Sequence, residues 1–145
     1  MSNITLAQAT LIVDRALAKG REMKFAPLTV VVLDPGGHVV ALKREDGSGI
    51  LRAQIAHGKA WGTLGMGLGG RTLHKRAKDH PQFFNALSDL SGGNLVPNPG
   101  GVIIRDQTGA VLGAVGISGD TGENDEVCAI AGVEAAGLRP DAGQA

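Results

Sequence analysis

Apolar positions in the first part of the chain follow a helical period and then a β-rich pattern. Residues 6–23 carry them at helical spacing behind Thr5, a residue suited to cap a helix. Residues 28–33 (LTVVVL) and 38–43 (HVVALK) are β-rich runs on either side of the sequence DPGG at 34–37. Aspartate at the first turn position, proline with its fixed φ and glycine with its tolerance of positive φ predict a hairpin there.

The second half of the chain repeats the order of hairpin and helix. Asp34 and Asp106 lie 72 positions apart, as do Gly37 and Gly109, which indicates an internal repeat. The further predicted segments are a helix over 51–64, a basic surface stretch over 71–80, a short helix over 81–90, a loop over 91–101, strands over 102–105 and 110–117, and a helix over 126–137.

Hairpins require antiparallel pairing, and strands that are apolar on both faces need helices to cover them. The predicted class is therefore α+β, with a single antiparallel sheet of four to five strands and helices packed against it. We expect residues 1–145 to form a single domain, with the tail over 138–145 frayed.

Composition and charge exclude several classes of protein. The 145 residues include 14 Lys and Arg against 14 Asp and Glu, and this balance argues against nucleic acid as a partner. No apolar run approaches the length of a membrane helix, and the single cysteine, Cys128, excludes an internal disulfide framework. Because the first residues lack the basic region of a signal peptide, we expect a cytoplasmic protein with no membrane partner.

Two residues of the second predicted helix are candidates for chemistry. His57 lies mid-helix, four residues before Trp61, and is either a packed histidine or a metal ligand or acid–base group. Lys59 lies among alanine, glycine and isoleucine, where an ammonium group needs either a route to water or a partner. The candidate partners are Asp125, Glu126 and the acidic group of a ligand.

Two further segments are suited to bind an anion. Arg44 ends the first hairpin, where its guanidinium can pair with its acidic neighbours or with a ligand carboxylate. Gly100 and Gly101 precede the second hairpin, and consecutive glycines let backbone N–H groups approach an anion or a flat ligand, although a plain turn is the simpler interpretation.

The runs at 30–48 (VVVLDPGGHVVALKREDGS), 55–61 (IAHGKAW) and 99–132 (PGGVIIRDQTGAVLGAVGISGDTGENDEVCAIAG) resemble the GlcG/HbpS-like haem-binding (haem-degrading) domain family. The resemblance covers nearly the whole chain, with one departure at Ile103, where the family usually has proline. It implies an antiparallel sheet flanked by helices, often in a homo-oligomer. It also implies a role in haem binding or degradation, or beside the catabolism of small organic acids.

The leading hypothesis is a binding module for a flat or acid-bearing small ligand, with haem or a related tetrapyrrole first. Arg44, Arg52 and Lys59 would supply cations for the propionates, together with the amides of Gly100 and Gly101, and His57 would ligate the iron.

Two alternatives remain open at this point. The chain is an enzyme or accessory protein acting on a small organic acid, with Lys59 and Asp125 as the acid–base pair and the Gly100 and Gly101 amides holding an oxyanion. Otherwise it is a structural homo-oligomer, for which Gly58 and Gly62 would provide close subunit packing.

Overall fold

Helices and strands alternate along the chain in the computed structural model, which describes residues 3–144. The described residues form five helices and five strands. In chain order these are α1 (Leu6–Glu22), β1 (Thr29–Leu33), β2 (Val39–Arg44), α2 (Arg52–Met66), α3 (Gly70–Asp79), α4 (Pro81–Leu90), β3 (Gly101–Arg105), β4 (Val111–Ser118), α5 (Gly122–Ala135) and β5 (Arg139–Asp141).

The strands form one open antiparallel sheet in the order β2-β1-β4-β3-β5. This confirms the predicted α+β class and its single sheet. The expectation of a frayed tail over 138–145 is wrong for Arg139–Asp141, which pair with β3 as the fifth strand. An ion pair between Arg105 and Asp141, at 2.9 Å, adds to the pairing. Ala145, the last residue of that predicted tail, lies outside the described residues.

The two hairpin turns have the same construction. The Oδ1 atom of Asp34 accepts the backbone N–H groups of Gly36 and His38, and Oδ1 of Asp106 accepts those of Thr108 and Ala110. The glycine three positions after each aspartate has a positive φ, +85° in the first turn and +93° in the second. The internal repeat predicted from the sequence is therefore visible as one turn geometry used twice.

The two faces of the sheet are covered by different helices. On one face, Val30, Val32, Val115 and Ile117 pack in a core that contains buried side chains of α1 and α5. On the other face, Val31, Leu33 and Ala114 pack against Ala56 and Ala60 of α2. Helix α2 lies over β1, β3 and β4, and leaves the face of the edge strand β2 partly open.

The structure adds one helix to the sequence prediction. The basic stretch over 71–80 belongs to α3, in which only Gly70 and Leu73 are buried. The sequence does not show the helical period of α3, because a single large buried apolar residue, Leu73, gives no repeat of apolar positions. Gly67, in the left-handed region at φ +70°, ends α2, and Gly69 begins α3 as its N-cap.

Candidate functional site

A row of polar side chains crosses the sheet on the face that α2 packs against. Arg44 of β2, Thr29 of β1 and Ser118 of β4 are direct cross-strand neighbours in this row. Thr29 and Ser118 are fully buried, and the Thr29 hydroxyl lies 2.8 Å from that of Ser48, which follows β2. The row therefore offers fixed oxygen atoms to the cations that lie over it.

Two arginines are anchored to this row by one nitrogen each. Arg44 donates to the Ser48 carbonyl oxygen at 2.7 Å, and Arg52 donates to the Ser118 hydroxyl at 3.1 Å. Within residues 3–144 neither guanidinium is paired with a carboxylate; the arginines that form ion pairs there are Arg21, Arg71 and Arg105. The remaining N–H groups of Arg44 and Arg52 are left for another acceptor.

The expected alternative, in which Arg44 pairs with its acidic neighbours, does not occur. Glu45 is engaged elsewhere, with Arg21 at 3.1 Å and the backbone N–H of Leu28 at 2.7 Å.

The first turn of α2 adds to the positive charge at this end of the helix. It contains Arg52 and no acidic residue, and Leu51 at the N-cap supplies no side-chain acceptor. The amino end of a helix favours negative charge, because the unpaired N–H groups carry partial positive charge. An anion near Arg52 would therefore be stabilised by both the guanidinium and the helix end.

A groove of about 660 Å³ lies on the surface beside α2. It runs between β2, the outer side of α2 and the segment that follows α4. Its lining is mainly apolar, and consists of Leu42, Leu51, Ala53, Gln54, Ile55, His57, Gly92, Gly93, Asn94 and Val96. Neither arginine is part of this lining: Arg44 is two positions from Leu42 on β2, and Arg52 lies between Leu51 and Ala53 in the sequence and bonds to Ser118 on the sheet.

His57 is the one imidazole in the groove lining. Its side chain is half-buried, and neither ring nitrogen hydrogen-bonds to another residue in the described part of the chain. His38 differs, because its ring lies 3.1 Å from the Asp34 carboxylate and is 80% exposed. An imidazole with a free nitrogen in an apolar groove can ligate a metal or exchange a proton.

Lys59 points away from the groove into the interior. Its Nζ donates to the Ile117 carbonyl oxygen at 2.9 Å and to Oδ2 of Asp125 at 3.1 Å. The two side chains are only 3% and 1% exposed. Glu126, the other acidic candidate, is instead held in a two-pronged pair by Arg71, at 2.7 and 3.1 Å.

The Lys59–Asp125 pair joins α2, β4 and α5. The second oxygen of Asp125, Oδ1, accepts the backbone N–H of Asp120 at 3.0 Å, so both carboxylate oxygens are engaged. Burial lowers the pKa of Lys59 and raises the pKa of Asp125, in each case against the attraction of the partner charge. A perturbed lysine in a cleft would indicate catalysis, but this pair has no open surface in this conformation.

Gly100 and Gly101 belong to the surroundings of this pair. At Gly100, with φ +111°, a β-carbon would lie 2.9 Å from both Lys59 Nζ and the Ile117 carbonyl oxygen. At Gly101 a β-carbon would collide with the Lys59 backbone. Both glycines are buried, and the structure therefore places them in the packing under α2 and not on the groove.

Gly58 and Gly62 also serve packing within the chain. A β-carbon on Gly58 would lie 2.5 Å from the Val96 side chain, and one on Gly62 would lie 3.3 Å from Leu95. The spacing that suggested contact between subunits is thus used by the segment over 94–96.

The cysteine at position 128 is chemically inert, because burial raises the pKa of the Cys128 thiol to about 12.

Comparison with known proteins matches residues 4–134 to the family model described as haem degrading protein HbpS-like. The chain belongs to the HbpS-like family. Comparison with curated proteins gives no match. Among the described residues, none of the helices of this HbpS-like chain is both long and apolar enough to cross a membrane.

Three solved structures are similar to the HbpS-like chain over most of its length. The ORFY protein of Klebsiella pneumoniae has 24% identity and a TM-score of 0.85, with 94% of this chain and 92% of that chain covered. PduOC, solved as a haem complex, has 20% identity and a TM-score of 0.83, with coverage of 98% and 99%. A double mutant of HbpS from Streptomyces reticuli has 25% identity and a TM-score of 0.80, with coverage of 92% and 87%.

The structure thus divides the predicted site residues of this HbpS-like chain into two groups. His57 lines the groove and Arg44 and Arg52 are close in sequence to lining residues, whereas Lys59, Asp125, Gly100 and Gly101 are enclosed beneath α2. Sequence reasoning missed the remaining groove residues, among them Leu42, Gln54 and Asn94. The one signal for them was the pair of glycines before Asn94, which end α4 and open the loop beside α2.

Proposed function

We propose that this protein binds haem or a related tetrapyrrole in the groove along α2. The observation that carries the proposal is His57 in the lining of a mainly apolar groove, with both ring nitrogens free of partners within residues 3–144. Arg44 and Arg52, which have no acidic partner in that part of the chain, are close in sequence to lining residues of the same groove. A tetrapyrrole has the matching features, which are an apolar ring system, a metal ion and two carboxylates.

The size and chemistry of the groove support this ligand. A volume of about 660 Å³ lies within the range of about 300–1,000 Å³ typical of small-molecule sites. Leu42, Leu51, Ile55 and Val96 provide apolar contact. Arg44 and Arg52 would hold the propionates, and His57 would ligate the iron. When bound, the iron supplies the redox and oxygen chemistry of the cofactor, whereas the chain supplies binding and orientation.

The comparisons also support haem. The family is described as haem degrading, and PduOC, which has the same fold, was solved with haem. Lys59, which the sequence suggested as a third propionate ligand, is not included in the proposed site because Asp125 and the Ile117 carbonyl oxygen engage it. We infer that the pair of Lys59 and Asp125 stabilises the fold, and that it does not act as an acid–base pair on a small organic acid.

Titration of the protein with hemin, followed by absorption in the Soret region, tests the proposal. We expect a saturable shift at a ratio of one hemin to one chain, and its loss or marked change in His57→Ala. The matched control is His38→Ala, which removes a largely exposed imidazole away from the groove. A wild-type spectrum that stays that of free hemin would exclude haem as the ligand. Equal spectra for the two histidine variants would exclude His57 as the iron ligand.

A small organic acid would use the arginines without the histidine. Isothermal titration with a dicarboxylate such as succinate separates this case from haem. We expect no heat above dilution with succinate, because that ligand cannot fill the apolar part of the groove.

A further inference from the structure

The lining of the groove beside α2 is open to solvent. None of its ten residues is buried: six are exposed and four are half-buried. Leu42 and Leu51, two of its large apolar side chains, are 41% and 58% exposed. Sites that retain a small molecule usually cover about 70–90% of the surface of that molecule. A ligand in this groove would instead keep much of its surface in water, because no lining residue belongs to the buried interior.

The wall of the groove that follows α4 adds few contacts. Gly92 and Gly93 have no side chain, and their φ values of +68° and +83° lie in the region that favours glycine. A β-carbon at either position would have no atom of the chain within 4 Å outside the adjacent residues. Their backbone N–H groups donate to carbonyl oxygens in the last turn of α4, at 3.1 and 2.8 Å. This wall therefore offers a ligand little dispersion attraction.

The lining supplies a single side chain of the kind that ligates haem iron. Histidine, methionine, cysteine and tyrosine are the usual axial ligands, and His57 is the only one of these among the ten lining residues. The other polar side chains of the lining are the carboxamides of Gln54 and Asn94. The groove therefore fits an iron tetrapyrrole with one axial bond from its lining, and it leaves the second axial position to water or to another protein.

We propose that this protein is a carrier, which holds haem or a related tetrapyrrole for a short time and passes it to an acceptor protein. The inference rests on the proposed function, since it concerns the fate of the same ligand in the same groove. The open lining, the wall without side chains and the single iron ligand all favour release over retention. A site that retains a small ligand encloses it, which this groove does not do.

Transfer of this kind needs no further reactant. One coordination bond breaks, between His57 and the iron, and one forms, between the iron and an axial side chain of the acceptor. The iron keeps its oxidation state, and the released imidazole keeps its lone pair. The acceptor is therefore a protein with a free axial side chain and a more enclosed apolar cleft, because such a site covers more of the ligand and binds it more tightly.

Transfer of hemin to apomyoglobin, followed by stopped-flow absorption in the Soret region, tests the carrier on the full chain. Protein loaded with one hemin per chain is mixed with an excess of apomyoglobin, which traps hemin as it is released. A site with a dissociation constant of about 1 µM and an association rate constant of about 10⁵–10⁷ M⁻¹ s⁻¹ releases its ligand at about 0.1–10 s⁻¹. We expect half of the hemin to be transferred within about one minute. A longer half-time overturns the proposal.

Gln54→Leu tests whether the few contacts of the lining set the rate of release. It replaces an exposed carboxamide of the lining with an apolar side chain, and we expect hemin to leave at least about threefold more slowly because apolar contact is gained. Gln82→Leu is the matched control, since Gln82 is an exposed glutamine of α4 outside the lining. Its release rate should equal that of the wild type. Equal rates in the two variants overturn the proposal, because release would then not depend on this lining.

Failure of the carrier can be told apart from failure of the proposed function. The hemin titration of the same sample is completed before the transfer experiment. A wild type that binds no hemin excludes both the proposed function and the carrier. A wild type that binds hemin, and keeps most of it for longer than about one minute after apomyoglobin is added, supports the proposed function and overturns the carrier alone.

Discussion

Helix α2 carries two cations with different surroundings, two turns apart on the side that faces the sheet. Lys59 faces the interior, where Asp125 and a carbonyl oxygen engage it and water does not reach it. Arg52 forms one hydrogen bond, to Ser118, and has no acidic partner within residues 3–144, and Arg44 belongs to the same row across the sheet. The charge of Lys59 is balanced by the Asp125 carboxylate, whereas the charges of Arg44 and Arg52 have no carboxylate partner within residues 3–144.

This difference separates stability from binding. A buried charge must be paired, so the geometry of Lys59 is explained by the fold alone. Two arginines with no carboxylate partner within residues 3–144, at a helix end without acids, add little to the stability of the fold by themselves. An anionic ligand in the groove would supply the missing charge. The predictions below test that division, from the largest effect to the smallest.

Removal of one partner of the buried pair should have the largest effect. Lys59→Met leaves the Asp125 carboxylate buried without its counter-ion, and we expect a loss of about 3–5 kcal/mol in the free energy of unfolding. Urea denaturation followed by circular dichroism measures it. Arg52→Gln should lose about 1 kcal/mol or less, because its side chain is less buried and forms one hydrogen bond.

The double variant Lys59→Met with Asp125→Asn sharpens this prediction. It removes both charges, and should recover a large part of the stability lost in Lys59→Met. Equal losses in Lys59→Met and Arg52→Gln would show that the two regions do not differ in the way described here.

Removal of the proposed iron ligand should have the next largest effect, and on binding only. In His57→Ala we expect the dissociation constant for hemin to rise about 10- to 100-fold. The free energy of unfolding without hemin should stay within about 1 kcal/mol of the wild type. If His57→Ala binds hemin normally but loses more than about 1 kcal/mol in the free energy of unfolding, His57 contributes to stability, as Lys59 does, and not to binding.

Neutralisation of Arg44 or Arg52 should weaken hemin binding about tenfold, since each would lose a charged hydrogen bond to a propionate. Arg44→Gln and Arg52→Gln test this by absorption titration. The ligand provides the control, because hemin with both propionates esterified should bind the wild type and the variants alike. Persistence of the difference with the esterified ligand would exclude propionate contacts as its cause.

The smallest effect concerns pH. Burial raises the pKa of Asp125, so the folded state takes up a proton at a higher pH than the unfolded state. The resulting stability is fully present below the ordinary value of 3.8 and is lost as pH rises through the folded pKa. Compared with Asp125→Asn, the wild type should gain stability as pH falls from neutrality towards about 4. A constant difference between the two, measured by urea denaturation, would contradict the direction of this shift.

The sequence predicts most of this fold because its signals are local. Both hairpins follow from Asp, Gly and β-rich runs within a few residues of one another, and Thr5 caps α1 as its position suggests. Helix α3 was not predicted, because only Leu73 marks its buried side. Strand β5 was not predicted either, because three residues with a proline become a strand only through pairing with β3.

The candidate site is less predictable because it depends on contacts between distant segments. The lysine among small residues indicated a buried partner, but only the fold selects Asp125 over Glu126. The groove combines β2, α2 and residues 92–96, which no local pattern brings together. Gly58 shows the same limit, since its spacing suggested contact between subunits and the structure uses it against Val96.

The most direct test of the division between the two regions is the increase in the free energy of unfolding that saturating hemin produces. A ligand at about 100 times its dissociation constant should add about 2.7 kcal/mol. We predict the same increase for the wild type and for the double variant Lys59→Met with Asp125→Asn, and an increase of only about 0.4–1.4 kcal/mol for His57→Ala at the same hemin concentration. Loss of the increase in the double variant together with its retention in His57→Ala would contradict this account.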